Sequence, residues 1–301
     1  MELRHLTTFL AVARHLSFTR AAQELGYVQS SVTAQVKALE NDLGVPLFAR
    51  LGRRVVLTDA GRELLPHAQQ LTHRAERARE AVRGAGTDPR TLRGTLRIAA
   101  PESLCAHLLP PVLRALKDHF PLLNVVFGPA GRTALLAALR DGSLDAGFSL
   151  EETVHAPMTV GEILTDQQLL LVARPGHPLL DRPRVSTGDL AGETLLLIEP
   201  GCAQRDIMDR ELRRAGIRPT AMEFVSAEAV KRCAEAGLGL AMLPAVAVQD
   251  ELARGELAEL PWTVRPRLNV YYLRHKDRPP STVLTTLADL ARSHWPPPRR
   301  H

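Results

Sequence analysis

What this chain lacks narrows the field first. Only three cysteines occur in 301 residues, Cys105, Cys202 and Cys233, odd in number and far apart. That argues against a disulfide framework and for a reducing cytoplasm. No stretch approaches the roughly 18 uninterrupted apolar residues that a membrane span needs, so no membrane partner is expected. The opening MELRHLTTFLAVARHL is broken by Arg4, His5, Arg14 and His15, which makes it an amphipathic helix and no signal peptide. Also missing are a Gly-x-Ser-x-Gly elbow, a Cys-x-x-Cys pair, a His-Glu-x-x-His motif and a P-loop. Gly237-Leu238-Gly239 lacks the third glycine and follows a helix where a dinucleotide fingerprint needs a strand. No catalytic residue, metal ligand or cofactor is assigned, and the chain is not expected to be an enzyme. The remote alternative is a cytosolic cysteine-dependent enzyme acting through Cys202, whose neighbourhood supplies Arg205 and Asp206 but no histidine base.

What is present is a soluble, globular composition, 45% hydrophobic and 24% charged, long enough for two or three domains. The net charge of +5 is uneven: residues 1–92 carry thirteen Lys/Arg against nine Asp/Glu, the remainder twenty-five against twenty-four. The N-terminal excess falls on a stretch patterned for DNA. Leu3, Leu6, Phe9, Leu10 and Ala13 recur at helical spacing. Ser17 and Thr19 are cap-type residues before a short helix, Arg20 to Leu25, closed by Gly26. A third helix, Gln29 to Asn41, turns Val32, Val36, Leu39 and Leu43 inward and shows Ser30, Ala34 and Lys37 outward, with Ser31 and Thr33 on the flanks. Small polar side chains free of carboxylates suit a helix lying in the major groove. LFARLGRRVVLT then predicts a hairpin turning at Leu51-Gly52, its Arg50, Arg53 and Arg54 placed to grip phosphates or the minor groove.

The run Ser17-Phe18-Thr19, Ala21-Ala22, Leu25, Gln29, Val32-Thr33, Leu39-Glu40, Leu43-Gly44, Leu47-Phe48, Arg50, Arg53, Leu57-Thr58 and Ala60-Gly61 resembles the winged helix-turn-helix of LysR-type transcriptional regulators. The resemblance makes Gln29, Ser30, Ser31, Thr33, Ala34 and Lys37 the groove-facing set and Arg53 and Arg54 the wing. The family often carries Ser at the position of Val28, Pro at Ser30 and a basic residue at Ala34. Val28 cannot cap the helix, which leaves Ser30 or Ser31 to do so. Base reading is expected to centre on Gln29 and Thr33, with Ala34 against a thymine methyl and Lys37 nearer a phosphate.

From Thr58 a long helix runs to Gly84, with Leu64, Leu65, Ala68, Leu71, Ala75, Ala78 and Val82 as its seam and Pro66 as the site of an expected kink. Gly84 to Gly94 reads as a hinge. From Thr95 onward strands and helices alternate, which predicts open parallel sheets. One helix is expected over Cys105–His119 and strands over Leu169–Ala173, Leu195–Glu199, Ala221–Val225 and Leu268–Leu273. GTLRIAAPESL, ALRDGSLDAGF, LLLVARPGHPLL and SAEAVKRCAEAGLGLAMLP resemble the LysR effector domain, which shares the two-lobed architecture of type 2 periplasmic binding proteins.

The fold class is therefore an all-α winged helix-turn-helix domain (1–58), a linker and dimerisation helix with hinge (59–91) and an α/β two-lobed effector-binding domain (92–301). Lobe I is expected at 92–164 and 267–296, lobe II at 165–266. Ligands of such sheets bind where strand ends meet helix N-termini. That selects Ser103, Arg132, Thr133, Gly201, Cys202, Arg205 and Ser226, and suggests a small anionic effector held at an electropositive site that would also favour a thiolate at Cys202. GCAQRD looks like the reactive-cysteine segment of the family's peroxide-sensing branch, so a single-cysteine redox regulator is the rival reading; the second cysteine of a disulfide switch is absent from IMDRELRRAG. The expected partners are double-stranded DNA with an interrupted palindrome, the effector, a second copy through the linker helix, a tetramer of two such dimers, and RNA polymerase as a candidate contact.

Overall fold

The computed structural model describes residues 1–51, 54–84, 89–278 and 281–298. The chain divides into two compact units, Met1–Thr87 with Asp141–Ser143, and Asp88–Arg140 with Leu144–His301.

In the first unit, α1 (Leu3–His15), α2 (Phe18–Leu25) and α3 (Gln29–Leu43) precede a hairpin of β1 (Phe48–Leu51) and β2 (Arg54–Leu57), then α4 (Asp59–Gly84). Helix α2 begins two residues earlier than expected because the Ser17 hydroxyl accepts the Arg20 N–H at 3.3 Å, and Gly26 closes it at φ 67°. Leu6, Phe9, Leu39, Leu47 and Ala68 form one buried cluster, while Ala11, Val12, Ala21, Ala22, Val32 and Val36 form another. Phe48 packs its ring on both Phe9 and Phe18. Leu43, expected inside, is exposed: the helix runs out at Gly44 beyond its packed stretch.

Hydrogen bonds fix the passage from α3 to α4. The Glu40 carboxylate accepts from the Leu47 N–H (2.8 Å) and the Phe48 N–H (3.3 Å). The Thr58 hydroxyl donates to the Pro46 carbonyl (2.7 Å) and accepts the Gly61 N–H (3.0 Å), so Thr58 caps α4 as expected. Gly61 passes so close to the wing that a Cβ there would lie 2.2 Å from the Leu47 carbonyl oxygen. Along α4, Leu64, Leu65 and Ala68 pack within the unit, whereas Leu71 and Ala78 of the same seam are exposed. Pro66 lies inside the helix. Of the expected hinge, residues 85–88 lie outside the described residues, and Pro89–Thr91 form a 3₁₀ turn.

The second unit contains β3 (Gly94–Ala100), α5 (Glu102–His107), α6 (Leu109–His119), β4 (Leu123–Pro129), α7 (Arg132–Asp141), β5 (Ala146–Glu151) and β6 (Thr159–Ala173). It continues with β7 (Thr194–Ile198), α8 (Ala203–Ala215), β8 (Thr220–Phe224), α9 (Ala227–Glu235), β9 (Leu240–Pro244), α10 (Ala245–Arg254), β10 (Ala258–Glu259), β11 (Arg267–His275) and α11 (Thr282–His294). The single helix expected over Cys105–His119 is two: Pro110 and Pro111 offer no N–H to continue a ladder, and the break falls at Leu108.

The sheet is mixed where parallel sheets were expected. Its order is β4-β3-β5-β11-β6-β9-β7-β8, with β10 on β6, and β11 and β6 run antiparallel to their neighbours. Strand β6 is three times the length expected at 169–173. Its first part pairs with β11 through Gln168, and its last part pairs with β9 from Leu169. One continuous strand thus carries the chain from one lobe to the other, and the segment leading into β11 brings it back, the Leu169 N–H donating to the Pro266 carbonyl at 2.8 Å. Strand β5 is buried along its whole length, Glu151 included. Gly239, half of the Gly-Leu-Gly segment, owes its small size to packing: a Cβ there would meet the Thr194 carbonyl at 2.3 Å.

Candidate nucleic-acid interface and effector cleft

At the N-terminal end of α3, Gln29, Ser30, Thr33, Ala34 and Lys37 are exposed on one face and Ser31 is half-buried. No side chain caps the helix at Val28, and neither serine takes that place, so both hydroxyls stay available for recognition. Within the first turn the Ser31 N–H donates to the Val28 carbonyl at 3.0 Å. Gln29 is pre-oriented: its Oε1 accepts from the Thr19 hydroxyl at 3.0 Å, which leaves its amide N–H groups to point away. The Thr33 hydroxyl donates back to the Gln29 carbonyl (3.0 Å), so its oxygen is left as an acceptor. Thr19 holds the Gln29 amide from another helix, a contact that helical periodicity alone does not single out. In the wing, Arg54 is exposed on β2 and Arg50 sits opposite Val55 in the hairpin register. Arg53 lies outside the described residues.

In the second unit, the starts of α5, α7, α8 and α9 converge beyond the ends of β3, β4, β5 and β7 on a cleft of about 260 Å³. Of the residues expected to bind an effector, Ser103, Arg132 and Cys202 line it, whereas Thr133, Gly201, Arg205 and Ser226 do not. Thr133 is exposed on α7. Arg205 is a lattice point of lobe II: its Nε donates to both Asp209 oxygens (2.9 and 3.0 Å), Nη1 to the Ile198 carbonyl (3.1 Å) and Nη2 to Glu223 (2.9 Å). Ser226 caps α9 by accepting the Ala229 N–H at 3.2 Å.

Three carboxylates not assigned from sequence share this wall, those of Glu102, Glu151 and Glu199. Arg132 reaches the buried Glu151 with two hydrogen bonds (2.9 and 2.5 Å) and Asp206 with a third (3.2 Å), which raises the guanidinium pKa, Glu151 contributing most. Ser149 donates to Glu151 at 2.9 Å. The Glu102 carboxylate accepts from the Ala227 N–H (2.6 Å) and the Ser226 hydroxyl (2.9 Å), sitting on the N-terminus of α9 as a bound anion would. A sequence signal for Glu151 does exist: a carboxylate closing an otherwise apolar strand must find a cation when buried.

Several of these bonds join the lobes. Glu102 to Ser226 and Ala227, Arg132 to Asp206, and Glu152 to Arg210 (2.7 and 2.8 Å) each cross the cleft. A second cavity of about 310 Å³ shares Arg132, Ser149, Glu151 and Ala203 with the first and adds Glu152, His155 and Asp206.

The electropositive site expected around Cys202 is not there. Its sulfur accepts the Arg205 N–H at 3.4 Å as the cap of α8, but burial pushes the thiol pKa up, Asp206 and Glu151 push the same way, and the Arg205 N–H and Arg132 only partly offset them. Cys105 is pushed up to about 11, mainly by burial. Among the described residues no group of three or more His, Cys, Asp or Glu side chains is placed to hold a metal ion, and no helix is long and apolar enough to cross a membrane.

A helix-turn-helix head with a two-stranded wing, followed by a long helix and a two-lobed α/β binding domain, defines the class of ligand-responsive DNA-binding regulators. Residues 3–62 match the family model described as bacterial regulatory helix-turn-helix protein, lysR family, and residues 89–296 match the LysR substrate binding domain. The chain belongs to the LysR-type transcriptional regulators. It is 39% identical to the uncharacterized HTH-type transcriptional regulator YwqM of Bacillus subtilis, over 97% of this chain and 99% of that one. It is 35% identical to a probable hydrogen peroxide-inducible genes activator of Mycobacterium avium, over 84% and 80% of the two chains. Full-length CbnR, solved in complex with its target DNA, superposes with a TM-score of 0.71 at 25% identity, over 98% of this chain and 100% of that one.

Proposed function

We propose that this regulator reads its operator with the Gln29–Lys37 face of α3, steadies itself on DNA with Arg50, Arg53 and Arg54, and answers to a small molecule in the interlobe cleft. The observation that carries the second half is the convergence of four helix starts from both lobes on one cavity, inside the segment that matches the substrate binding domain. An effector bound there would alter the set of bonds joining the lobes. It would act by population shift, favouring one lobe closure and so one arrangement of paired DNA heads.

The exposed half of the α4 seam, Leu71 and Ala78, supports pairing of two subunits along this helix, hence an interrupted palindrome as operator. A tetramer, a contact with RNA polymerase and a cytoplasmic location belong to the same reading. For the domains we retain 1–58, 59–91 and 92–301, and place the first lobe crossover within β6, near Gln168, rather than at 164/165. The test is retention of a DNA fragment by the purified protein, measured against salt and against a metabolite panel. Salt-sensitive binding that shifts with one compound is expected; binding insensitive to both would contradict the proposal.

The likeness to a peroxide-inducible activator supports a second reading, redox control through Cys202. Burial and the neighbouring carboxylates favour the thiol over the thiolate that peroxide attacks, so small-molecule control stands first. A peroxide titration in which Cys202 stays reduced while a ligand still shifts DNA binding separates the two.

A further inference from the structure

We propose that the effector of this cleft is a small organic cation, a molecule bearing an ammonium or guanidinium group and about the size of an amino acid. The inference rests on the cleft being the effector site and names the chemistry that site selects.

The argument begins with what an anion would find. The cleft wall holds one formal cation, Arg132, and three formal anions, Glu102, Glu151 and Glu199. Arg132 is already committed to two carboxylates, with a fork on Glu151 and a further bond to Asp206. An incoming carboxylate that takes Arg132 leaves Glu151 buried without its cation, a state that low-dielectric surroundings penalise heavily. The other attraction for an anion is the N-terminus of α9, and Glu102 occupies it through the Ala227 N–H and the Ser226 hydroxyl. The N-terminus of α8 is served in part by the Cys202 sulfur. Arg132 and the N-terminus of α9 thus have their partners supplied by the chain itself, and the N-terminus of α8 has one in part.

A cation meets the opposite situation. Glu199 is exposed and extends from lobe II toward lobe I, its Oε1 lying 3.8 Å from where a Cβ on Gly131 would stand. Glu102 spends one bond on each oxygen and keeps further lone pairs. Leu135, Leu150, Ile198 and Leu268 supply apolar wall for an alkyl chain. A volume near 260 Å³ is below the usual range for drug-sized ligands and fits a molecule of amino-acid size. An N–H-bearing cation between Glu199 of lobe II and Glu102 of lobe I would draw both lobes onto itself, which ties its charge to lobe closure.

The test uses three five-carbon probes of matched length, 1,5-diaminopentane, 1,5-pentanediol and glutarate, titrated calorimetrically into the full-length protein at fixed ionic strength. The diamine is expected to bind and the other two to give no heat. Glu199→Gln and Glu102→Gln should each weaken diamine binding roughly tenfold, the loss of one charged hydrogen-bond acceptor. Gly131→Trp, which fills the cleft at an exposed position, should abolish it. Glutarate binding that disappears in Gly131→Trp would overturn the cationic ligand and leave the cleft as the effector site. Diamine binding unaffected by Gly131→Trp would overturn the cleft itself, and absence of diamine binding at millimolar concentration would overturn the cationic ligand.

Discussion

Arg132→Leu should cost the effector-binding unit far more than an ordinary surface arginine would. The Glu151 side chain is only 7% exposed, and Arg132, at 32%, supplies the two hydrogen bonds that let a carboxylate end β5 inside the fold. Breaking a buried pair from one side is worth about 3–5 kcal/mol. A third of the arginine is in water, and Ser149 still donates to Glu151, so about 2–4 kcal/mol is the reasoned loss. Replacing both partners removes the orphaned charge, so Arg132→Leu/Glu151→Leu should recover most of it. The assay is urea unfolding followed by tryptophan fluorescence. Both tryptophans of the chain, Trp262 and Trp295, are buried in this unit, and Trp295 packs on Phe148 of the strand that bears Glu151. A single variant within about 0.5 kcal/mol of wild type, or a double variant no more stable than the single one, would refute the reasoning.

Other outcomes follow from the same geometry. In a protein lacking Cys105 and Cys233, alkylation of Cys202 should keep accelerating beyond pH 9, since its pKa lies above the ordinary 9.0; a rate that levels off below pH 8 would mean a stabilised thiolate. Arg205→Ala should lower the unfolding midpoint while leaving ligand affinity within about threefold, because its side chain does not line the cleft and its bonds brace lobe II; affinity lost without stability would place it in the site. Gly61→Ala should destabilise the DNA-binding unit by about 1–3 kcal/mol by overpacking against the Leu47 carbonyl, less about 1 kcal/mol of helix propensity gained. Circular dichroism of the melting transition checks it, and an unchanged midpoint would show that the wing yields freely.

The helix-turn-helix was legible because its information is local. The Ser17 cap, the Gly26 stop and the inward Val32, Val36 and Leu39 are spacing rules within single helices. The cleft was half legible: Ser103, Arg132 and Cys202 follow strands in the way α/β sites require, but the three carboxylates that set its charge did not stand out. Glu102 finds its partners 124 and 125 residues away and Arg132 finds Asp206 74 residues away, separations that periodicity does not encode. The first part of β6 was missed for a related reason. TVGEILTDQQ is mixed in polarity and is held as strand by β11, about a hundred residues later in the chain. The break at Leu108, by contrast, was written in Pro110-Pro111 and overlooked beneath a long apolar period.

The proposed reading gives Gln29 the deciding contact, its amide oxygen held by the Thr19 hydroxyl at the head of an exposed helix face. Selection of bound fragments from a random DNA pool, run in parallel with wild type and Gln29→Ala, tests this most directly. The account predicts an enriched, two-fold-related sequence for the wild type and a variant that still retains DNA but loses preference at the positions facing α3. Equal loss of affinity for selected and random fragments would contradict it.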